Sequence, residues 1–474
     1  MKGRYTILYA QIIDLLSNWL YTYILIVLLL GVGIYFTVKT KGIQFRFLKE
    51  AIHVVREPKD DEKSISSFQA LMVSTASRVG TGNIAGISTA LCIGGPGAMF
   101  WMWLTALLGS ASAFIESTLA QIYKKKADDG SSYGGPAYYI QAVLKKRSIG
   151  VLFAVVLIVT YMGGFNMVAA FNIADSFKAY GFYDAGTTPV IVGFVLAALF
   201  LVCIFGGSKQ ISRVTGVLVP FMGVFYILVS LIVIVTHFNL VPKMFADIFA
   251  GAFDFRAIFG GFTGSAIMQG IKRGLFSNEA GVGSAPNAAA SAGVSHPVKQ
   301  GLVQMLSVYI DTIVICSATA FMLLCSGVEP SREIAGMAYV QAAVSGTLGS
   351  FGTIFITIAL CLFAFTTLIG NFYYAEMGLG YLCNKTPQKT ILYAFRLLAG
   401  LIVCFGATME FSVAWNTADV LMGLMAIINL PVIIILAKPA IRCMNDYIEQ
   451  RKQGKNPVFK AASIQLEDKT DFWN

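Results

Sequence analysis

An all-α, polytopic membrane protein with about eleven transmembrane helices is the fold class this sequence predicts, and three observations predict it. Apolar residues make up 56% of the 474 residues and charged residues only 13%, where a soluble chain carries roughly 25% charged. Mean hydropathy is +0.71. Apolar stretches long enough to span a bilayer, about 20 residues each, fall near 18–38, 68–93, 98–123, 150–177, 189–205, 214–236, 257–275, 301–325, 346–382, 391–406 and 412–437. A soluble single domain is excluded. The net charge of +10 does not point to nucleic acid, because the basic residues sit in short loops between apolar runs and not on one folded surface.

The first stretch follows Lys2 and Arg4 but is too long for a signal-peptide core and lacks a small-residue cleavage pattern. It reads as a transmembrane helix. The loop after it, residues 39–63, alternates basic and apolar residues as an interfacial helix does, although a solvated basic loop has the same composition. With the N-terminus outside, the inner segments hold 28 of the 35 Lys and Arg residues and the outer ones six, with Arg78 inside a span. This asymmetry predicts an outer N-terminus and a cytoplasmic C-terminus.

Two spans carry glycine and polar residues near their middles. The second contains Ser74-Thr-Ala-Ser-Arg-Val-Gly-Thr-Gly-Asn-Ile-Ala-Gly86 and the seventh Phe259-Gly-Gly-Phe-Thr-Gly-Ser-Ala-Ile-Met-Gln-Gly270. Each helix-interior glycine costs about 1 kcal/mol relative to alanine, and irregular backbone at membrane depth survives only where it lines a cavity or is buried in protein. With the N-terminal helix set aside, each interrupted span opens a group of five. Five crossings invert the sense of the second group. Paired interrupted helices in inverted halves point to the midplane site of a secondary transporter; packing faces between helices are the bland alternative. The expected units are 1–66, an N-terminal helix with a basic cytoplasmic loop; 67–238, a first five-helix repeat; 239–438, a second, inverted one; and 439–474, a basic cytoplasmic tail. Gly80-Thr-Gly-Asn-Ile-Ala-Gly86 is not a dinucleotide fingerprint, since its spacing is GxGxxxG and no strand precedes it. No convergent nucleophile, acid/base pair or metal motif suggests an enzyme.

The sixteen residues GGPGAMFWMWLTALLG at 94–109 resemble the signature of the alanine or glycine:cation symporter family, the sodium:alanine symporters. Val79-Gly-Thr-Gly-Asn-Ile-Ala-Gly86, Gly134-Gly-Pro-Ala-Tyr-Tyr-Ile140 and Gly274-Leu-Phe-Ser-Asn-Glu-Ala-Gly-Val-Gly-Ser-Ala-Pro286 are similar to further motifs of that family. The resemblance implies a LeuT-type fold, a five-plus-five inverted repeat with one extra N-terminal helix. It also implies sodium-coupled uptake of a small neutral amino acid across a prokaryotic plasma membrane, by a monomer whose partners are the amino acid, the sodium ion and the lipid bilayer, with no nucleic acid.

An amino-acid zwitterion needs donors for its carboxylate and acceptors for its ammonium. The half-helix that starts after Gly80 offers a positive dipole end, so the carboxylate is assigned to Thr81 and Gly82. Thr263, Gly264 and Ser265 are assigned to the ammonium, with Phe262 as a lid. Sodium takes oxygen ligands. Thr366 and Thr367 resemble the paired hydroxyls of that fold's sodium site, which the carbonyls of Ala76, Val79 and Phe363 would complete, while threonine hydroxyls bonding back to their own helix are the alternative. A second sodium is placed near Asn83 and Thr263. Arg78, Glu116, Asp311, Glu376 and Asp419 fall in or near spans, and Arg78 is expected to pair with a carboxylate in an inner gate. Glu279 is read as a gating partner or a cap.

The chain departs from alanine-carrying members at two positions: Ala169 stands where they usually have glutamine and Asn371 where they usually have tryptophan. Both changes remove side-chain volume, which suggests a larger, more polar pocket and glutamine as leading substrate, with alanine or glycine close behind. The alternative is that Phe171 and Tyr373 refill the space. A sodium-dependent amino-acid-binding receptor without net transport is the competing function.

Overall fold

The computed structural model describes residues 2–60, 63–253, 265–384, 387–466 and 470–473. Among these, nine helices are long and apolar enough to cross a membrane. They are α1 (Leu8–Lys39), α5 (Ala98–Ile122), α6 (Arg147–Ala179), α7 (Thr188–Phe205), α8 (Gly207–Thr236), α12 (Pro297–Leu324), α13 (Met337–Cys383), α14 (Lys389–Ala407) and α15 (Phe411–Ile435). The two further expected spans are each built from two half-helices: α3 (Ser67–Arg78) with α4 (Gly82–Gly94), and α10 (Ala266–Asn278) with α11 (Ala285–Ala290). Residues 39–63 contain the helix α2 (Leu48–Val55), α9 (Val241–Ala252) precedes the second broken span, and α16 (Ala437–Lys452) follows α15.

Local sequence explains the half-helices. Ser66 and Gln69 form a reciprocal capping box that starts α3, satisfying two amides that an unflanked helix start leaves bare. The helix stops at Val79, whose ψ of 86° leaves the helical range. Ser265 is extended and its hydroxyl accepts from the Met268 amide, which starts α10. That helix ends where Glu279 turns left-handed at φ 51°, followed by Gly281 at 81° and Gly283 at 91°. Glycine at such φ carries no steric cost.

Among the described residues the interruption of the second span lies beyond the expected stretch, of which residues 259–264 are outside the described part. Gly270, the end of the expected interruption, and Gly274 both lie inside α10. A Cβ on Gly270 would sit 2.4 Å from the Ala98 carbonyl and one on Gly274 2.5 Å from Thr105 Oγ1, so both let α10 close onto α5. The irregular backbone is residues 279–284, the stretch Glu-Ala-Gly-Val-Gly-Ser. Small residues at a tight helix crossing and glycines at a break have the same composition; only backbone geometry separates them.

The two broken spans run antiparallel: α4 packs on α10, and α3 on α11. Four long helices follow each broken span, α5 to α8 after the first and α12 to α15 after the second. Among the described residues, three of the four helical stretches with widened, i to i+5 turns lie in this arrangement, at Gly82–Gly86, Val159–Phe165 and Tyr309–Cys316. Such turns free backbone groups and redirect side chains, and they concentrate at functional sites. Lys272 and Arg273, counted above in an inner loop, are instead buried in α10. Lys272 Nζ lies 3.0 Å from Asp419 and 2.9 Å from Ser17, and Arg273 pairs with the same Asp419 carboxylate. Two of the 28 inner basic residues thus leave the loop inventory.

Candidate functional site

The first break places backbone and side-chain oxygens side by side. Thr367 Oγ1 lies 3.1 Å from the Ala76 carbonyl and 3.0 Å from the Phe363 carbonyl. A Cβ on Gly80 would fall 2.0 Å from that hydroxyl, so only glycine lets the break approach α13. Gly370 allows the same approach one turn on, its Cβ position being 2.8 Å from the Ser77 nitrogen. Of the five expected sodium ligands, Ala76, Phe363 and Thr367 thus converge beside Val79. Thr366 is set apart: its hydroxyl returns 2.9 Å to Phe363 O and faces the Met222 thioether at 3.6 Å. Both threonines make the back-bond to their own helix, and Thr367 alone also reaches the break.

Thr81 and Gly82 open α4, and both are buried. Directly before them, the Gly80 amide donates to Asn83 Oδ1 at 2.8 Å, which fixes the turn. The ring over Gly82 belongs to Phe276, 2.9 Å from where a Cβ would stand. Phe276 stacks on Phe165 at 4.6 Å between centroids and tilts on Trp415 at 4.8 Å, and the Arg273 guanidinium lies 4.6 Å over Trp415. Phe262, Thr263 and Gly264 lie outside the described residues. Ser265 is described and belongs elsewhere: it caps the far end of α10, about 18 Å from the break at 1.5 Å per residue. The residues that face Gly82 are Phe276 and Ser277. The family motif Gly274-Leu-Phe-Ser-Asn-Glu contained them, yet the preceding glycine-rich stretch drew the assignment away.

Asn83 has a further partner. Its amide donates to Asp311 at 2.7 Å, and the same buried carboxylate accepts from Ser277 at 2.6 Å and Thr312 at 2.7 Å. This carboxylate therefore ties together both broken spans and α12. Thr263, expected with Asn83 at a second sodium, lies outside the described residues; among the described ones Asp311 and Ser277 stand at Asn83.

On the other side of the break, Ser77 donates 2.7 Å to Asn371 Oδ1, and Asn371 donates 3.0 Å to Asn166 Oδ1. Asn166 and the buried Ala169 are three residues apart on α6 and share one face. Phe171 and Tyr373 do not refill this place. Phe171 meets Phe411 edge-on at 6.0 Å, and the Tyr373 hydroxyl donates 2.8 Å to Ser291.

Glu116 supports the second break, accepting from the Gly281 amide at 3.2 Å and from Asn429 at 2.8 Å, while Asn429 also donates to Gly281 O at 2.9 Å. A non-helical turn at membrane depth leaves amides and carbonyls that need such partners. Glu279 accepts from Ser77 at 3.1 Å and from Ser284, so it is a structural member of the break. Arg78 donates to the Gln304 carbonyl at 3.3 Å, and this carbonyl, not a carboxylate, is its hydrogen-bond partner among the described residues. Glu376 pairs with Arg396 at 3.0 Å.

The model of the sodium:alanine symporter family matches residues 6–461. A protein named probable sodium/glutamine symporter GlnT, from Bacillus subtilis, is 44% identical over 98% of this chain and 96% of its own. The sodium/alanine symporter AgcS of Methanococcus maripaludis is 38% identical over 94% of this chain and 99% of its own. Among solved structures, a manganese transporter from Eremococcus coleocola superposes with a TM-score of 0.51 at 14% identity, over 85% of this chain and 84% of that one, a likeness of fold alone. With two interrupted antiparallel helices, a family model over nearly its whole length and relatives that are carriers, this chain is a membrane transporter, not an enzyme, and belongs to the sodium:alanine symporter family.

Proposed function

We propose that this carrier imports a small neutral amino acid together with sodium by alternating access, across the plasma membrane of a prokaryote, with its N-terminus outside and its C-terminus in the cytoplasm. The observation that carries the reading is the Thr367 hydroxyl at the Ala76 carbonyl, beside a glycine that no other residue can replace without moving it. Hard oxygens from two helices meeting at non-helical backbone suit a sodium ion, with Ala76, Val79, Phe363 and Thr367 as its ligands and Thr366 as the weakest member. The ion is cargo: each one entering down the membrane potential contributes about 2.3 kcal/mol per 100 mV. A second cation site lies at Asn83, with Asp311 and Ser277 as the oxygen donors.

The substrate carboxylate sits at Thr81 and Gly82, where the half-helix dipole favours an anion. Phe276 takes the lid role assigned above to Phe262, and the broken backbone from Ser277 onward takes the ammonium in place of Thr263, Gly264 and Ser265. The Asn166–Asn371 pair beside Ala169 supplies an amide-like surface that complements a side-chain amide, and this favours glutamine, with alanine and glycine next. The relative named a sodium/glutamine symporter supports the same choice. Competition of labelled alanine uptake in proteoliposomes tests it. Excess glutamine is expected to abolish at least nine-tenths of the uptake, and Asn371→Trp is expected to remove that competition while sparing alanine. No competition by glutamine would overturn the substrate reading.

A further inference from the structure

The six-residue half-helix α11 lies between left-handed backbone at Glu279, Gly281 and Gly283 and the turn at 291–296. An element this short with irregular chain at both ends is positioned by what surrounds it. On one side the chain before α3 holds it: the Ile65 amide donates to Ser291 O at 3.2 Å, and the Gly293 amide to Ile65 O at 3.0 Å. On the other side stands the C-terminal segment that follows α16.

That segment touches both ends of the turn. The Phe459 amide donates to Ser295 O at 2.9 Å, Ser295 donates to Pro457 O at 2.8 Å, and Lys299 reaches Asn456 at 2.8 Å. His296 Nδ1 accepts from the Val298 amide at 3.3 Å, so its proton is on Nε2, 3.1 Å from Asp446 of α16. Farther along, the buried Trp473 donates 2.8 Å to the Gln121 carbonyl at the end of α5. Lys124 lies 4.8 Å over its ring. Lys124 and Gln121 also hold the Ala292 carbonyl, at 3.1 and 2.9 Å, and Gln121 holds the Ala289 carbonyl as well. The same two residues, Gln121 through its backbone carbonyl and its side chain, thus carry the tail on one side and the carbonyl end of α11 on the other.

We propose that residues 453–466 and 470–473 form a strap on the cytoplasmic face that holds α11 closed against α5, and that the carrier must release this strap to open inward. Release breaks these hydrogen bonds and cation–π contacts and uncovers a small apolar seam made by the buried Phe459, Ile464 and Trp473 at the edge of the molecule. The strap is a regulatory layer on the alternating-access reading, on which its transport arm rests.

Two measurements on the full chain test it. A disulfide between S295C and P457C would fix the strap, and exchange of labelled amino acid across proteoliposomes is expected to fall at least tenfold and to recover on reduction. Exchange at the unmodified rate while cross-linked would overturn the proposal. The second measurement needs no substrate, so it stands even if the amino-acid reading fails. Trp473→Ala is expected to speed deuterium exchange in residues 285–299 at least threefold while leaving the middle of α5 unchanged. Trp473→Phe, which keeps the ring and deletes only the N–H, should give a smaller rise in the same peptides and covers a Trp473→Ala protein that does not fold. Unchanged exchange in the folded variants would overturn it.

Discussion

Gly80 carries the tightest constraint at the proposed sodium site. Its missing Cβ is the space occupied by the Thr367 hydroxyl, so Gly80→Ala must push α13 away from the Ala76 carbonyl. Uptake is expected to fall more than a hundredfold while the protein still folds and inserts, since the disturbance is confined to one crossing; folding is checked by gel filtration in detergent. Normal uptake in Gly80→Ala would mean that the hydroxyl and the break do not act together. Thr81, Gly82, Thr367 and Asn371 stand out in the sequence as glycine or polar residues in apolar spans, whereas Ala76, Phe363 and Ala169 look like ordinary apolar residues and entered only through the family resemblance. Phe276 was less legible. An aromatic residue in an apolar helix looks the same whether it packs or covers a ligand, and the difference lies in Gly82 directly beneath its ring.

Broken helices show the same limit at the next scale. The break in the first span was visible because Gly80, Gly82 and Gly86 surround a polar run with no other use. The second span holds glycines at 270 and 274 and again at 281 and 283. Gly270 and Gly274 serve close packing on α5, whereas Gly281 and Gly283 serve positive φ. Sequence spacing does not distinguish these uses, since both ask only for the absence of a side chain. What identifies the true break in the structure is its polar support, above all Glu116. Deleting that carboxylate leaves the Gly281 amide and one of the two Asn429 side-chain N–H groups without an acceptor. Each buried unsatisfied group costs about 1–3 kcal/mol, so Glu116→Ala is expected to lower stability by about 2–5 kcal/mol. Glu116→Gln, which retains an acceptor oxygen, should lose less than half as much. Equal losses in denaturant unfolding would remove Glu116 from this supporting role.

Across the whole molecule, membrane residence and the number of crossings followed from composition and length alone, because about 20 apolar residues per span is a physical requirement of the bilayer. The long helices appeared where the apolar stretches were. Charge counting was less exact. Lys272 and Arg273 look like loop residues in sequence, yet they are buried against Asp419, with Lys272 also reaching Ser17 of the N-terminal helix. Ionic groups enter a span when a partner of opposite sign is built into the neighbouring helix, and that partner lies 146 residues away in the case of Arg273.

The central claim is that the meeting of the first broken helix with α13 binds the sodium that drives uptake. The most direct measurement is the sodium concentration that half-saturates amino-acid uptake in proteoliposomes, compared between the unaltered carrier and Thr367→Ala. The account predicts that this concentration rises at least tenfold in Thr367→Ala and that uptake recovers at high sodium, since one oxygen ligand of several is lost while the substrate site stays intact. An unchanged half-saturating concentration in a folded Thr367→Ala carrier would contradict it.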